Sequence, residues 1–316
     1  MRSPADSADP TRSPGAFREA AAAAMAPPAQ LHCLLCKGVQ HRAIFTEFGI
    51  DILRCKTCGH VFSSFRADLH YAGFWGDEVA ADEHFYWGKA RARMHRDFFK
   101  RFIAGRSGRL LDMGSGLGFF LKAMMPYREW DAYGCEISPA AVKYAREQLG
   151  LRKVVCSPLQ DVDLPRDSFD MITMWDVIDH VPHPDPLLEH CHALLKEDGT
   201  LFIRTPNISV QILCARAKKA ICGIQPGTKY LQATDHPHQY SMRSIERLLD
   251  RNGFVDVAFV HLHPVATGIG WKAQFLNLTK NACFQILRTL AVCSGGHLNY
   301  DNLFVVARKG AVIPSV

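Results

Sequence analysis

No segment of the 316-residue chain approaches the ~18 consecutive apolar residues that a membrane-spanning helix requires. An apolar leader is also missing at the N-terminus. The one apolar run there is the alanine patch from Ala20 to Ala24, bracketed by Glu19 and by Pro27 and Pro28, which is too weak for a secretory signal. Neither sign of charge dominates: 37 Lys and Arg face 31 Asp and Glu, for a formal net charge of +6. That balance suits an acidic partner but names none. With 48% hydrophobic and 22% charged residues, the disordered, collagenous and coiled-coil classes are excluded. One large domain, alone or with a small appendage, is expected. Without a secretory signal, the 11 cysteines do not read as a disulfide scaffold. They predict reduced thiols in a cytoplasmic protein, or a metal site. Residues 1–30 carry no large apolar side chain besides Phe17 and two methionines, so they cannot offset the entropy of ordering, and a disordered tail is predicted there.

Four cysteines fall in one short stretch as two C-x-x-C pairs, Cys33/Cys36 and Cys55/Cys58, with 18 residues between the pairs. A C-x-x-C turn aims two thiolates at one point, and two such turns complete a tetrahedron around Zn²⁺. Gly59 follows the second pair, where the knuckle turn needs a residue free to take positive φ. Four sulfur ligands leave no position for substrate, so the site is read as structural, in a zinc ribbon over residues 31–66. Four thiolates around one Zn²⁺ lower the formal charge by two. The other seven (Cys135, Cys156, Cys191, Cys214, Cys222, Cys283 and Cys293) show no ligand spacing and are expected to act as small buried hydrophobes.

Farther along, Arg109 to Met113 reads as a short apolar strand, Gly114-Ser115-Gly116-Leu117-Gly118 as a glycine turn, and Phe119 to Met124 as a helix. Glycines in such a turn let the backbone approach a ligand, and the helix N-terminus offers free N–H groups. The spacing is D-x-G-x-G-x-G, not the dinucleotide pattern G-x-G-x-x-G. A second strand, Asp131 to Glu136, ends in a carboxylate about twenty residues on, a placement suited to ribose hydroxyls. Ser138 and Pro139 open the next helix as N-cap and first helical residue. Further strands are expected over Lys153 to Cys156, Phe169 to Trp175, Gly199 to Thr205 and Leu303 to Ala307, with a helix from Pro186 to Leu195. The alternation implies a parallel α/β sheet covered by helices on both faces.

The segments LLDMGSGLGFFL, YGCEISPAAVKYAREQLGL, DSFDMITMWDVIDHVPHPDPLLEH, LLKEDGTLFIRTPN and HPHQYSMRSIERLLDRNGF together resemble class I S-adenosylmethionine-dependent methyltransferases. The resemblance is narrower to the type-11/type-23 small-molecule group, which includes the ubiquinone-biosynthesis O-methyltransferases. It runs from about Tyr71 to Val260 and implies a Rossmann-like seven-stranded sheet over residues 67–316, preceded by the ribbon. It implies that Asp112, Gly114, Ser115, Gly116 and Gly118 hold the methionine part of S-adenosyl-L-methionine, and that Glu136 binds the ribose. Ile137, Leu159 and Gln160 would lie at the adenine, while Trp175 and Asp176 would face the methionine end and the acceptor. Trp175 also reads as a core aromatic, and Asp112 as a brace for the turn. His180, four residues after Asp176, would share a helical face with it and is the candidate general base; it also reads as a packing residue. Within the cluster Tyr71, Phe74, Trp75, His84, Phe85, Tyr86 and Trp87, Tyr86 is the candidate lid contact, unless the cluster packs the ribbon on the domain. His236, His238 and Tyr240 would sit beside the acceptor; the two histidines lack an evident third ligand, so no metal is assigned to them.

Two stretches, 207–235 and 262–302, exceed the minimal fold. They are expected to cap the acceptor pocket, or to touch lipid through basic and apolar faces such as Arg216-Ala217-Lys218-Lys219. The leading expectation is methyl transfer to a small-molecule or glycan-type acceptor, at oxygen. The ribbon, with Lys37, Arg42, Arg54, Lys56 and Arg66 against Glu47 and Asp51, keeps an RNA methyltransferase open as the alternative. The strand end Met174-Trp175-Asp176-Val177 has no D/N-P-P-Y element of amino-group nucleic-acid methylases. A non-catalytic scaffold is the third reading. Oligomeric state is not legible.

Overall fold

The computed structural model describes residues 31–65, 84–225, 230–266, 278, 282, 285, 289 and 302–311. Tyr71, Phe74 and Trp75 of the aromatic cluster, Cys283, Cys293 and most of the 262–302 stretch lie outside these residues. The chain divides into two compact units: Met1–His70 with Ile178–Pro184 and Thr205–Leu248, and Tyr71–Val177 with Asp185–Arg204 and Leu249–Val316.

The larger unit is built on a seven-stranded sheet. Its strands are β4 (Gly108–Met113), β5 (Trp130–Glu136), β6 (Val154–Cys156), β7 (Phe169–Trp175), β8 (Leu195–Pro206), β10 (Phe254–Val260) and β11 (Asn302–Lys309), in the order β10-β11-β8-β7-β4-β5-β6. The pairs β4–β5, β4–β7, β5–β6 and β7–β8 are parallel, and β10–β11 is antiparallel. This mixed sheet with flanking helices is the methyltransferase-type Rossmann-like fold that the resemblance implied. Successive residues of β4 from Leu110 to Met113 and of β7 from Met171 to Trp175 are buried, so both faces of these strands are covered. Between β4 and β7 the chain order reverses, and the carboxyl ends of strands at such a switch point form the ligand crevice of doubly wound sheets.

Among the described residues, helices α1 (Ala92–Phe98), α2 (Phe119–Met124), α3 (Pro139–Glu147) and α4 (Pro184–Leu194) flank the strands. Ser138 caps α3 by accepting the Ala141 N–H, with Pro139 in the first turn. A pack of aromatic rings closes the core: Phe98, Phe120, Trp175 and Phe202 meet with centroids 4.7–5.5 Å apart, mostly at the tilted and edge-on angles that ring quadrupoles favour. Full burial of each such ring is worth roughly 1.5–3 kcal/mol.

The smaller unit holds a four-stranded sheet, β1 (His41–Glu47), β2 (Ile50–Cys55), β3 (Val61–Ser63) and β9 (His238–Gln239), in that order. Phe48 and Gly49, at φ 50° and 82°, make the two-residue hairpin that joins β1 to β2; paired positive φ values suit the twist of the flanking strands. Its core joins Phe45, Ile50, Ile52 and Val61 to Ile208, Ile212 and Ala215 of α5 (Ile208–Cys222), and to Tyr230, Leu231 and Ala233. Buried Glu47 accepts the N–H groups of Leu231 (2.8 Å) and Ala233. The stretch read from sequence as an excess loop at 207–235 thus supplies one side of this core. Cys135 and Cys191 are buried as expected, but Cys156, Cys214 and Cys222 are exposed; the last two lie on α5, whose buried face is carried by Ile208, Ile212 and Ala215 instead.

Candidate cofactor site and metal clusters

The glycine turn leaves β4 immediately after Asp112 and Met113. Gly114 has φ 71°, and a Cβ there would stand 2.6 Å from Val177 Cγ2. Gly118 caps α2 at φ 84°, with room for a Cβ only 2.5 Å from Leu151 Cδ1. Both positions therefore need glycine on two counts, conformation and space. Glu136 closes β5, 6% exposed. Its Oε2 accepts the Gly116 N–H at 2.8 Å and its Oε1 the Ser138 N–H at 3.0 Å. The carboxylate thus ties the glycine turn to the next strand end, and each oxygen keeps a lone pair for a hydroxyl donor. Burial raises its pKa, while the N–H groups of Ser138, Gly116 and Ile137 oppose the shift. Asp112, 2% exposed, accepts the Thr173 hydroxyl at 2.7 Å. Burial pushes its carboxyl up to about 8, against the Thr173 hydrogen bond and with the Glu136 charge adding to the rise.

Asp176 at the end of β7 has the opposite surroundings. Arg91 donates to it at 2.8 Å and Arg204 pairs with its other oxygen. Burial alone would raise this carboxyl, but the Arg204 and Arg91 guanidiniums outweigh it and hold the group well below the usual carboxylate range. Arg204 also donates to Asn302 Oδ1 at 2.9 Å. His95 is neutral beside them, pushed down to about 3 by burial and then by Arg91 and Arg204. Sequence reasoning passed over both arginines. The signal was present in Arg204, a charge inside the apolar strand LFIRTP, since a buried cation demands an acidic partner.

The remaining expected cofactor contacts are placed as follows. Ile137 and Leu159 are half-buried and Gln160 is exposed. The Trp175 ring packs in the aromatic core against His95, Phe98, Phe120 and Phe202. Tyr86 is 43% exposed, and the Arg91 guanidinium lies 5.0 Å from its ring centroid. Asp176 and His180 do not share a helical face: Asp176 takes φ 57° and residues 178–180 form a turn.

In the smaller unit, the four cysteine sulfurs converge. Cys33 Sγ lies 3.6 Å from Cys58 Sγ and Cys36 Sγ 3.5 Å from Cys55 Sγ, and all four lie within 4.8 Å of one another. Sulfurs about 2.3 Å from a tetrahedral Zn²⁺ would stand roughly 3.8 Å apart. Matching turns present each pair, with Lys37 N–H donating to Cys33 O at 2.9 Å and Gly59 N–H to Cys55 O at 3.0 Å. A second convergence, absent from the sequence reading, joins Asp179, His180 and His236. His238, the other member of the i, i+2 pair, instead meets His60 at 3.0 Å.

Comparison with known proteins agrees with this geometry. A family model of the methyltransferase domain, type 23, matches residues 86–258, more than half of the chain. The chain belongs to the S-adenosylmethionine-dependent methyltransferase family. Among its relatives, the ubiquinone biosynthesis O-methyltransferase of Alkalilimnicola ehrlichii is 30% identical over 119 residues, 35% of this chain and 47% of that protein. The one of Coxiella burnetii is 25% identical over 179 residues, 53% of this chain and 73% of that protein. The chain thus spans about half the length of the first of these methyltransferases. A solved S-adenosylmethionine-dependent methyltransferase of Archaeoglobus fulgidus aligns over 72% of this chain and 98% of its own, at 18% identity and a TM-score of 0.47. Among the described residues, no helix is long and apolar enough to cross a membrane.

Proposed function

We propose that this methyltransferase carries a methyl group from S-adenosyl-L-methionine to an oxygen of a small-molecule acceptor. The observation that carries the reading is Glu136: a buried carboxylate at a strand end, oriented by the Gly116 and Ser138 N–H groups and bordered by a turn with no room for side chains at Gly114 and Gly118. In this reading Glu136 holds the ribose hydroxyls, and Asp112, Gly114, Ser115, Gly116 and Gly118 line the methionine portion. Ile137, Leu159 and Gln160 flank the adenine, and Tyr86 covers the site. Trp175 contributes through the aromatic core that fixes the end of β7, and Asp176 through its ion pairs. The bound cofactor supplies an electrophilic methyl on a sulfonium, and the chain's part is to hold donor and acceptor in line, which by itself removes much of the barrier. Oxygen as the acceptor atom is supported by the relatives named O-methyltransferases. Cys33, Cys36, Cys55 and Cys58 hold a structural Zn²⁺ in the same proposal, supported by their donor set and spacing.

Calorimetry with S-adenosylmethionine on the whole protein tests the cofactor assignment. Glu136→Ala removes an acceptor of charge-assisted hydrogen bonds, each worth about 1.5–3 kcal/mol, so the Kd should rise about 10- to 100-fold or more. Unchanged affinity would discard the ribose role. A tritiated methyl donor with a panel of hydroxylated metabolites then tests the acceptor. Label appearing in RNA instead would overturn the small-molecule reading.

A further inference from the structure

Asp179, His180 and His236 come together within the smaller unit, with 56 residues of sequence between the first and the last. Asp179 is 1% exposed, and among the described residues neither of its carboxylate oxygens takes a hydrogen bond. A buried carboxylate in that condition is costly unless a cation balances it. The two groups aimed at it are imidazoles: His236 Nε2 at 3.4 Å and His180 Nε2 at 3.9 Å from Asp179 Oδ2. These separations are too long for ion-paired hydrogen bonds, which close to about 2.7–2.9 Å. They fit the edges of a coordination shell, since nitrogen and oxygen ligands about 2.1 Å from a tetrahedral metal stand roughly 3.4 Å apart.

The surroundings hold these ligands in place. His180 Nδ1 lies 2.7 Å from the Asp235 carbonyl oxygen, which makes Nδ1 the protonated nitrogen and leaves the Nε2 lone pair directed away from it. A carbonyl on the far nitrogen is the usual support of a metal-bound histidine. The two rings meet edge to face, centroids 4.7 Å apart at 69°, so they converge on a point without stacking. Backbone bonds hold both ligand segments: His238 N–H to Asp179 O at 3.3 Å and His236 N–H to Gln232 O at 2.9 Å.

We propose that Asp179, His180 and His236 form a second metal site, which takes a divalent transition ion through one carboxylate and two imidazoles. This donor set suits Zn²⁺, Co²⁺, Mn²⁺ or Fe²⁺ and not Mg²⁺ or Ca²⁺, which prefer all-oxygen shells. Three protein ligands leave at least one coordination position for water or another oxygen ligand, unlike the closed cysteine cluster. The ligand role commits the His180 Nε2 lone pair, so it excludes a general-base role for the same ring. The site stands apart from the cofactor assignment and survives if that assignment fails.

Cobalt separates the two metal sites, because only thiolate ligands give Co²⁺ intense sulfur-to-metal charge-transfer bands. The whole protein, stripped of metal under reducing conditions, is titrated with Co²⁺ while absorbance and bound cobalt are followed. Two equivalents are expected, one with thiolate bands and one with weak ligand-field bands alone. Asp179→Asn and His236→Ala should each lose the second equivalent and leave the thiolate bands intact. Asp179→Asn also guards against misfolding: without metal it should melt no lower than the parent, since it removes an unbalanced buried charge. With Zn²⁺ added, the parent's melting temperature should rise further than the variant's. A second equivalent that never appears, or that persists in both variants, overturns the proposal.

Discussion

Two neighbouring strands of the large sheet end in aspartates, one buried and one half-buried, that stand in opposite charge states. Asp112 at the end of β4 has a hydroxyl for a partner, and burial pushes it up to about 8. Asp176 at the end of β7 has two guanidiniums and is held well below the ordinary range. Residue type is the same and both carboxyls are largely withdrawn from water; the cations within reach decide. The sheet therefore presents a neutral carboxyl at the glycine turn and an ionised one beside it, each positioned by the surrounding side chains before any ligand arrives.

The largest effect should come from breaking the charged end. Arg204→Leu leaves half-buried Asp176 with Arg91 as its one remaining guanidinium among the described residues and should cost about 3–5 kcal/mol in urea unfolding. Adding Asp176→Asn to Arg204→Leu should restore part of that loss. A single variant as stable as the parent would show that the pair contributes nothing.

Next in size is the dependence on pH, where the two ends carry opposite signs. Asp112 is raised above its ordinary value of 3.8, so the folded chain keeps a proton that the unfolded chain releases. Its stabilising contribution is full below about pH 4 and is lost as the pH rises through about 8. Asp176 is lowered from 3.8, so its contribution is present above about pH 4 and is lost as the pH falls through its depressed value. Unfolding free energies measured from pH 4 to 8 should therefore favour Asp112→Asn over the parent increasingly as the pH climbs. Parallel curves for variant and parent would place Asp112 in the ordinary carboxylate range and erase the contrast.

The smallest effect expected is Asp112→Asn near pH 4, where the unfolded chain only begins to release the same proton. Asn keeps an oxygen to accept the Thr173 hydroxyl and carries no charge, as the protonated acid does, so the stability change should stay within about 1 kcal/mol. A loss several times larger would mean that Asp112 is ionised in the folded chain and balanced there by a cation.

What could be read from the sequence was whatever local pattern determines. β7 runs from Phe169 to Trp175 at the residues its apolar pattern marks, and α2 from Phe119 to Met124 likewise. The cysteine pairs converge because each turn is set by its own few residues. What long-range approach determines was not readable. Arg91 and Arg204 reach Asp176 from different parts of the chain, and His236 reaches Asp179 across two intervening helices and a strand. The two-residue strand β9 is too short to leave any periodicity. The face that Asp176 and His180 would share failed for a local reason: the left-handed backbone at Asp176 (φ 57°) ends helical geometry where it would have begun.

The shared core of the small unit bears on how such a chain can be shortened. Phe45, Ile50, Ile52 and Val61 pack with Ile208, Ile212, Tyr230 and Leu231, and Glu47 is the acceptor for the Leu231 and Ala233 N–H groups. Deleting residues 31–65 would therefore not detach a module. It would leave apolar side chains of α5 facing water and two buried donors without an acceptor. The cysteine hairpin and the 205–248 segment are therefore one folding part, and a truncation that removes either exposes the core of the other.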